Sequence, residues 1–273
     1  MTTGSDLARP SDRARTRSTI KAVGLPTEHG GWGLTLEPAL LGMIVAPGAA
    51  GLALAVAAIV AFLARTPLKV VLVDGYRGRV LERTRVARRL AAAELVLLAG
   101  LVATAVLLAE GSFWVPALVS AACVGVGLWF DLRSRSRRLV PELAGAIGIT
   151  GVAAMTVLAD GGDAPTAWAI WLVLAARAVT SIPFVREQVA LRHGRRPSRV
   201  LLAVTDSVAA AAAALAVVVL PRALAGAVAI VVVIAYQRIS VLGRPLSAVA
   251  IGIRQMVVGL VVVIVTAVGV LAP

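Results

Sequence analysis

Cysteine, histidine and aromatic residues are all scarce in this chain. One cysteine and two histidines stand among 273 residues, and aromatic residues make up 4%. A single cysteine excludes an intramolecular disulfide, and Cys123 lies within an apolar run, which argues against a cysteine-based metal site. We therefore interpret Cys123 as a packing residue.

Acidic residues are also few. The chain has 14 Asp and Glu against 27 Lys and Arg, which gives a formal net charge of +13. In a soluble protein this balance would indicate a nucleic-acid partner. Here the arginines lie between long apolar runs, as they do in the cytoplasmic loops of membrane proteins. We expect no nucleic-acid partner.

Apolar residues, by contrast, are abundant, at 59% of the chain with a mean hydropathy of +0.92. One water-soluble domain cannot bury such a surplus, so membrane lipids must be the solvent. Long runs of Ala, Val and Leu without alternating polarity fit helices rather than the strands of a barrel. The sequence therefore predicts an all-α, polytopic bundle of transmembrane helices.

Apolar segments of spanning length predict about nine helices, or eight if the first segment is re-entrant, because Glu37, Pro38 and Pro47 interrupt it. We expect one transmembrane domain over residues 28–273. Residues 1–27 are polar and basic and lack the apolar stretch of a secretory signal, which predicts a disordered cytoplasmic tail. The predicted spans are 33–49, 51–73, 90–109, 113–130, 141–159, 165–185, 200–220, 222–240 and 252–272.

The distribution of arginines predicts how these spans are oriented. Basic residues cluster in the N-terminal tail and after the second, fourth, sixth and eighth predicted spans, whereas the other connections are short and carry only Arg222. Cytoplasmic loops hold the excess of Lys and Arg. The N-terminus is therefore expected in the cytoplasm and the C-terminus, after an odd number of spans, outside.

Glu28 and His29 stand together in a glycine-rich segment just before the first apolar run. Their side chains suit an acid, a base or a ligand. The alternative is an interfacial cap, in which Trp32 lies at the level of the headgroups and the glycines permit a bend. Glu37 follows deeper in the same segment, where a polar group normally has a partner.

Cations also occur within the predicted spans. Arg65 and Lys69 lie four residues apart, on one face of the second span, and Arg177 lies roughly two turns deeper than Arg186 in the sixth. A charge in a spanning helix costs about 2.5 to 3.5 kcal/mol on insertion scales, so it normally faces a cavity or a counter-charge. The alternative is that the side chains extend to the membrane edge.

Two further groups of polar residues lie near the predicted cytoplasmic face. Residues 131–138 hold four arginines, including Arg133, and clustered arginines bind phosphate or diphosphate by bidentate hydrogen bonds. Such a loop also serves orientation or contact with anionic lipid. Hydrogen bonds between helices are the other expected use of polar residues in the late spans. These residues are Asp206, Tyr236, Arg238, Arg254 and Gln255.

The run Glu28-His29-Gly30-Gly31-Trp32-Gly33, followed by Glu37-Pro38, resembles the opening of the YwiC-like family of bacterial membrane proteins. The resemblance extends through Arg65-Thr66-Pro67-Leu68-Lys69. It implies a multi-pass protein of the bacterial inner membrane and does not by itself imply a reaction.

The predicted topology is also similar to that of the UbiA-type intramembrane prenyltransferases. Leu128-Trp129-Phe130-Asp131, through Arg133 to Gly145, resembles their basic stretch leading into helix five. In that superfamily, aspartate-rich motifs at the ends of helices two and six hold magnesium and a prenyl diphosphate. Val73-Asp74-Gly75-Tyr76-Arg77 falls at the first motif with an arginine in place of its second acid, and the sixth span ends in Arg186-Glu187.

This second resemblance implies a cytoplasm-facing polar pocket for an isoprenoid or lipid phosphate. In a prenyltransferase of this type, Asp74 and Glu187 would hold magnesium, and Glu28, His29 and Asp74 would be the catalytic residues. One acid at each motif, with arginines beside it, argues against a pair of magnesium ions. The expected phosphate ligands are Arg65, Lys69, Arg133, Arg177 and Arg186.

Two other classes of function remain open at this point. Intramembrane cations also line the substrate paths of transporters, here for a small anionic or amphipathic solute. A non-catalytic scaffold that binds anionic lipid or a partner protein is the third class, and it predicts that Arg65 and Arg177 are dispensable. The sequence leaves open whether the protein is an enzyme.

Overall fold

The computed structural model describes residues 23–24, 29–79, 81–133, 138–243 and 246–273. Most of the predicted N-terminal tail lies outside these residues. Within them the chain forms nine long α-helices, one short 3-10 helix at Pro221–Ala223 and no β-strand. The helices are α1 His29–Val45, α2 Ala49–Tyr76, α3 Glu82–Leu108, α4 Trp114–Leu132, α5 Leu139–Ala159, α6 Ala164–Arg192, α7 Arg199–Val219, α8 Leu224–Leu242 and α9 Ala248–Leu271.

Eight of these helices, α2 to α9, are long and apolar enough to cross a membrane, and the apolar part of α1, Gly31–Val45, is shorter. Large apolar side chains point away from the bundle, among them Val96 at 73%, Val218 at 80% and Leu107 at 85% exposure. Apolar surface on this scale requires lipid around it. The prediction of an all-α polytopic membrane bundle is confirmed.

Several helices extend beyond the predicted spans. Helix α3 begins at Glu82 and α6 continues to Arg192, because backbone hydrogen bonding does not stop where the apolar run stops and Arg, Glu and Ala favour helix. The first predicted span, 33–49, is instead helical over His29–Val45. It ends there because Pro47 lacks a backbone N–H and restricts the residue before it.

The connections between helices lie alternately at two ends of the bundle. We call the end where α2, α4, α6 and α8 finish and α3, α5, α7 and α9 begin the basic end, and the other the opposite end. Arg186 pairs with Glu142 near the basic end, at 2.8 Å. At the opposite end the Asp160 carboxylate accepts from the Gly51 N–H at 2.9 Å, next to the start of α2. The helices therefore alternate in direction, as the arginine distribution predicts.

Helix α6 forms the centre of the bundle and α3 its periphery. Of the spanning part of α6, 67% is buried, against 11% for α3, which packs mainly on α2. The apolar core surrounds α6 on the sides of α1, α5, α7, α8 and α9. Any polar residue of α6 that faces this core must find its partner there. Fully buried members of the core are Leu41, Ile170, Leu174, Ile230, Val262 and Val263.

Candidate functional site

A buried ion pair joins α1 to α6. The side chains of Arg177 and Glu37 are 2% and 8% exposed, and Arg177 Nη2 lies 3.5 Å from Glu37 Oε1. Both residues stand near the middle of their helices. Charges at such a position require an opposite charge and further hydrogen bonds. Arg177 is thus the partner that the depth of Glu37 requires.

The third helix of this site, α9, makes room for the pair. A Cβ atom at Gly259 would lie 1.7 Å from Glu37 Oε1, so only glycine lets the carboxylate occupy this place. Arg177 Nη2 also donates to the backbone carbonyl of Gln255 at 2.7 Å, and its Nη1 donates to Ser181. The guanidinium is therefore held by α6 and α9 as well as by Glu37.

A chain of polar side chains continues from this pair toward the basic end. Gln237 Nε2 donates to Ser181 Oγ at 3.0 Å, and Gln237 Oε1 lies 2.9 Å from Thr180 Oγ1. The Thr180 hydroxyl also lies 2.8 Å from Asp206, so its single hydrogen serves one of the two acceptors at a time. Asp206 in turn pairs with Arg238 in the last turns of α8. We call these residues, with Glu37 and Arg177, the polar network.

A second cluster ties α2 to α4. Lys69 Nζ lies 3.0 Å from Asp131 Oδ1, and Arg65 Nη2 lies 3.5 Å from Asp131 Oδ2. Lys69 approaches Oδ1 as an ion pair rather than an aligned hydrogen bond. Asp131 is 1% exposed, whereas Arg65 and Lys69 are 43% and 37% exposed. Two cations therefore meet one buried carboxylate at a partly open surface.

Arg133 lies next to this cluster in the sequence. Its guanidinium stacks over the Trp129 ring, 4.0 Å from the centroid. Trp129 is 54% exposed, and an exposed tryptophan at the end of a spanning helix is typical of the membrane interface. The end of α4 therefore has the side chains expected at a membrane interface.

Asp74 and Glu187, the predicted magnesium ligands, hydrogen-bond within their own connections. Asp74 is buried and accepts from Thr84 Oγ1 at 2.6 Å and from Arg83 at 3.1 Å, which closes the turn between α2 and α3. Glu187 accepts from the Ser198 backbone N–H at 2.9 Å, across the connection from α6 to α7. Within the described residues, no three His, Cys, Asp or Glu side chains form a group suited to a metal ion. Asp74 and Glu187 thus fit magnesium poorly.

The predicted phosphate ligands pair with different acids. Arg177 pairs with Glu37, Arg65 and Lys69 with Asp131, and Arg186 with Glu142. Of the two residues predicted as base, Glu28 lies outside the described residues. His29 is the first residue of α1, and its side chain is likewise outside them. The predicted site residues thus fall into separate clusters around individual carboxylates.

Sequence reasoning did not identify Asp131, Thr180 or Gln237 as partners. A signal existed, because a lone polar residue in an apolar helix normally bonds to another helix. That rule marked Asp206 and Arg238 as residues in need of partners without pairing them, and the structure pairs the two. It does not say which of eight other helices holds the partner, and Arg177 lies 140 residues from Glu37.

An apolar groove of about 400 Å³ lies at the opposite end, between α1 and α9. Its walls carry no charged side chain, and in a bilayer it would face lipid tails. It is therefore distinct from both charged clusters. The lining residues are Ile44, Ile264, Ala267, Val268, Leu271 and Ala272.

Comparison with known proteins gives one result. Residues 25–158, slightly less than half of the 273-residue chain, match the family model described as YwiC-like protein. This region contains Glu37, Arg65, Lys69 and Asp131, while Arg177 and the rest of the polar network lie beyond it. No curated protein and no solved structure matched the chain. Residues 25–158 are thus similar to the YwiC-like family, and the chain as described is a multi-pass helical membrane protein.

Proposed function

We propose that the protein binds an anionic amphiphile, an isoprenoid or lipid phosphate, at the cytoplasmic surface of the membrane. The observation that carries this proposal is the convergence of Arg65 and Lys69 on the single buried carboxylate of Asp131. The carboxylate holds both cations at one point of the protein surface. Two cations placed side by side offer charge-assisted hydrogen bonds to a negatively charged group.

The chemistry of the two cations suits a phosphate. A guanidinium has five N–H donors and an ammonium has three, so each side chain can donate to several acceptors at once. Both side chains are more than a third exposed and can be reached by a headgroup. Arg133, exposed beside Trp129, adds a third cation at the interface. The acyl or prenyl tail would lie along the apolar outer faces of the helices.

Prenyl transfer is the enzymatic form of this proposal, and it rests on the resemblance to UbiA-type enzymes. It would draw Arg177 and Arg186 toward the phosphate, whereas both have acidic partners of their own. Since both oxygens of Asp74 accept hydrogen bonds within the α2–α3 turn, we assign no step to a metal ion. Binding of the amphiphile does not depend on transfer.

Native mass spectrometry of the purified protein in detergent tests the binding. The probes are geranyl, farnesyl and geranylgeranyl diphosphate, each with and without magnesium. The triple variant Arg65→Gln, Lys69→Gln, Asp131→Asn removes both cations without leaving a buried unpaired carboxylate. Hydrogen bonds to charged groups contribute about 1.5 to 3 kcal/mol each, so we expect affinity to fall at least about tenfold.

Arg79→Gln is the matched control, because Arg79 is an exposed cation at the same end of the bundle. We expect it to bind like the wild type. Equal binding by the triple variant and the wild type would contradict the proposed site. Binding no stronger than that of an unrelated membrane protein would contradict the proposed ligand class.

Transport of a small anionic solute is the second candidate function. The polar network favours it, because an ion pair near the middle of α1 and α6 is linked by hydrogen bonds to the basic end. Charged residues at membrane depth commonly mark substrate and ion pathways. This function would use Arg177 and Glu37 and not the cluster around Asp131.

A further inference from the structure

We infer that Arg177, Glu37 and Gln255 form a binding site for a small monovalent anion within the membrane, and that Glu37 takes up one proton when the anion binds. This site is separate from the amphiphile site at Arg65 and Lys69. The inference deepens the second candidate function, transport of a small anionic solute, because it names the residues and the class of solute. Its test measures binding alone and does not depend on transport.

Unpartnered polar atoms are the first observation. Arg177 Nε and both side-chain polar atoms of Gln255, Nε2 and Oε1, are buried and have no hydrogen-bond partner among the described residues. Arg177 is 2% and Gln255 9% exposed. Buried polar atoms are almost always bonded, so such a group indicates a ligand or water. Arg177 Nε is a donor on a positively charged group, and Gln255 Nε2 is a second donor on the residue whose carbonyl binds that group, which favours an anion over a cation.

The unequal contacts of Arg177 are the second observation. The Gln255 carbonyl lies 2.7 Å from Nη2, and Ser181 is hydrogen-bonded to Nη1, so both hold the guanidinium firmly. The Glu37 carboxylate is more distant, at 3.5 Å, and occupies a notch that exists because residue 259 is glycine. Glu37 is therefore the exchangeable partner of Arg177.

Charge balance links the anion to a proton. Arg177 and Glu37 together are neutral, and adding a monovalent anion would place a net negative charge in a poorly solvated region, at high cost. Protonation of Glu37 removes that charge: the carboxylate accepts H⁺ and becomes a neutral carboxylic acid, while the anion takes its place as counter-charge to Arg177. One proton is thus bound for each anion.

The other charged residues on helices packed against α1 have other partners or lie at the surface or near the basic end. On α2, Arg65 and Lys69 face Asp131, and Asp74 is bonded to Thr84 and Arg83. On α5, Glu142 pairs with Arg186 of α6, and Asp160 at the end of α5 accepts from Gly51. On α6, Glu187 and Arg192 lie near the basic end, where Glu187 accepts from Ser198. On α9, Arg254 is exposed. Arg177 is thus the charged group in contact with Glu37 among the described residues.

Isothermal titration calorimetry of the purified protein in detergent tests this inference. The probes are the sodium salts of formate, acetate, nitrate and chloride, each titrated in two buffers of different ionisation enthalpy to count protons. For the wild type we expect uptake of about one proton per anion. The affinity for the anion should then fall about tenfold for each unit by which the pH rises, over the pH range in which Glu37 is ionised in the free protein.

Two variants separate the roles of the pair. Glu37→Gln should bind the same anion with no proton uptake and no pH dependence, and the anion should raise its melting temperature. The double variant Glu37→Gln, Arg177→Met keeps the site neutral, so it is expected to fold, and it should bind no anion. It should still bind the prenyl diphosphates if the amphiphile site is correct, which makes failure of the two proposals distinguishable.

Three results would overturn the inference. The first is that none of the four anions binds the wild type or stabilises Glu37→Gln, which would mean that the polar atoms hold water only. The second is binding that persists in the double variant, and the third is wild-type binding without proton uptake.

Discussion

Asp163 shows how one exposed carboxylate defines the start of the central helix. It precedes α6, and its oxygens accept from the backbone N–H of Thr166 at 2.8 Å and from the Thr166 hydroxyl at 2.9 Å. Loss of such an N-cap costs about 1 kcal/mol. We expect Asp163→Ala to lower the free energy of unfolding in mixed micelles by that amount at pH 7. Asp163→Ser, which can keep the cap, should remain close to the wild type.

The same residue gives the cap a defined pH dependence. The hydrogen bond from the Thr166 N–H lowers the pKa of Asp163 below its ordinary value of 3.8. A lowered folded-state pKa means that the stabilisation is complete above about pH 4 and is lost as pH falls through the folded pKa. The difference in free energy of unfolding between the wild type and Asp163→Ala should therefore become smaller below pH 4. A constant difference down to pH 2 would show that the charge is not involved.

At this scale the sequence predicts which residues need partners but not which partners they have. Glu37 and Arg177 stand out because both are charged within apolar runs. Their pairing depends on how α1 and α6 are placed in the bundle, and hydropathy contains no information about that. Asp131 was similarly visible in the sequence, yet the meeting of α4 with α2 is what makes it the anchor of Arg65 and Lys69.

At the scale of whole helices, the packing of α1 against α9 combines polar and apolar contacts. Helix α1 contains Pro38 and is the shortest of the nine α-helices in the described residues. It nevertheless packs closely on α5 and α9. On the α9 side the contact depends on Gly259 and the Glu37 carboxylate. The short helix is thus fixed in place by polar as well as apolar contacts.

Gly259→Ala tests this arrangement. The added methyl group would overlap Glu37 Oε1 and force the carboxylate away from Arg177. Overpacking of this kind typically costs about 1 to 3 kcal/mol. We expect the free energy of unfolding, measured in mixed micelles, to fall by an amount in that range. Gly252→Ala is the control on the same helix, because a Cβ there meets nothing within 4 Å. It should be neutral or more stable by up to about 1 kcal/mol. Equal stability of the two variants would contradict the packing argument.

Helix existence was predictable and helix ends were not. Apolar runs fix where a chain crosses lipid, so each predicted span corresponds to one helix. The ends depend on capping and on prolines: α6 continues to Arg192 past its apolar run, and α1 stops before Pro47. These polar ends hold further contacts, since Arg186 pairs with Glu142 and Glu187 accepts from the Ser198 backbone N–H.

For the molecule as a whole, the two ends differ in charge. The connections at the opposite end contain the acids Glu110, Asp160 and Asp163 against one cation, Arg222, whereas those at the basic end are rich in arginine. Insertion machinery retains Lys and Arg in the cytoplasm. Both functional proposals use this asymmetry, because the Arg65 cluster and the Asp206–Arg238 pair of the polar network lie toward the basic end.

Orientation is therefore the prediction on which the molecular account depends most. In a Cys123→Ser background, Ser112→Cys places a thiol at the opposite end and His193→Cys places one at the basic end, both at exposed positions. A membrane-impermeant maleimide added to intact cells should label Ser112→Cys at once and His193→Cys only after permeabilisation. The reverse pattern would place Arg65, Lys69 and Arg133 outside, where an intracellular prenyl diphosphate could not reach them. Labelling of both thiols in intact cells would mean that the protein inserts in both orientations. It would contradict the prediction, because the difference in charge between the two ends favours a single orientation.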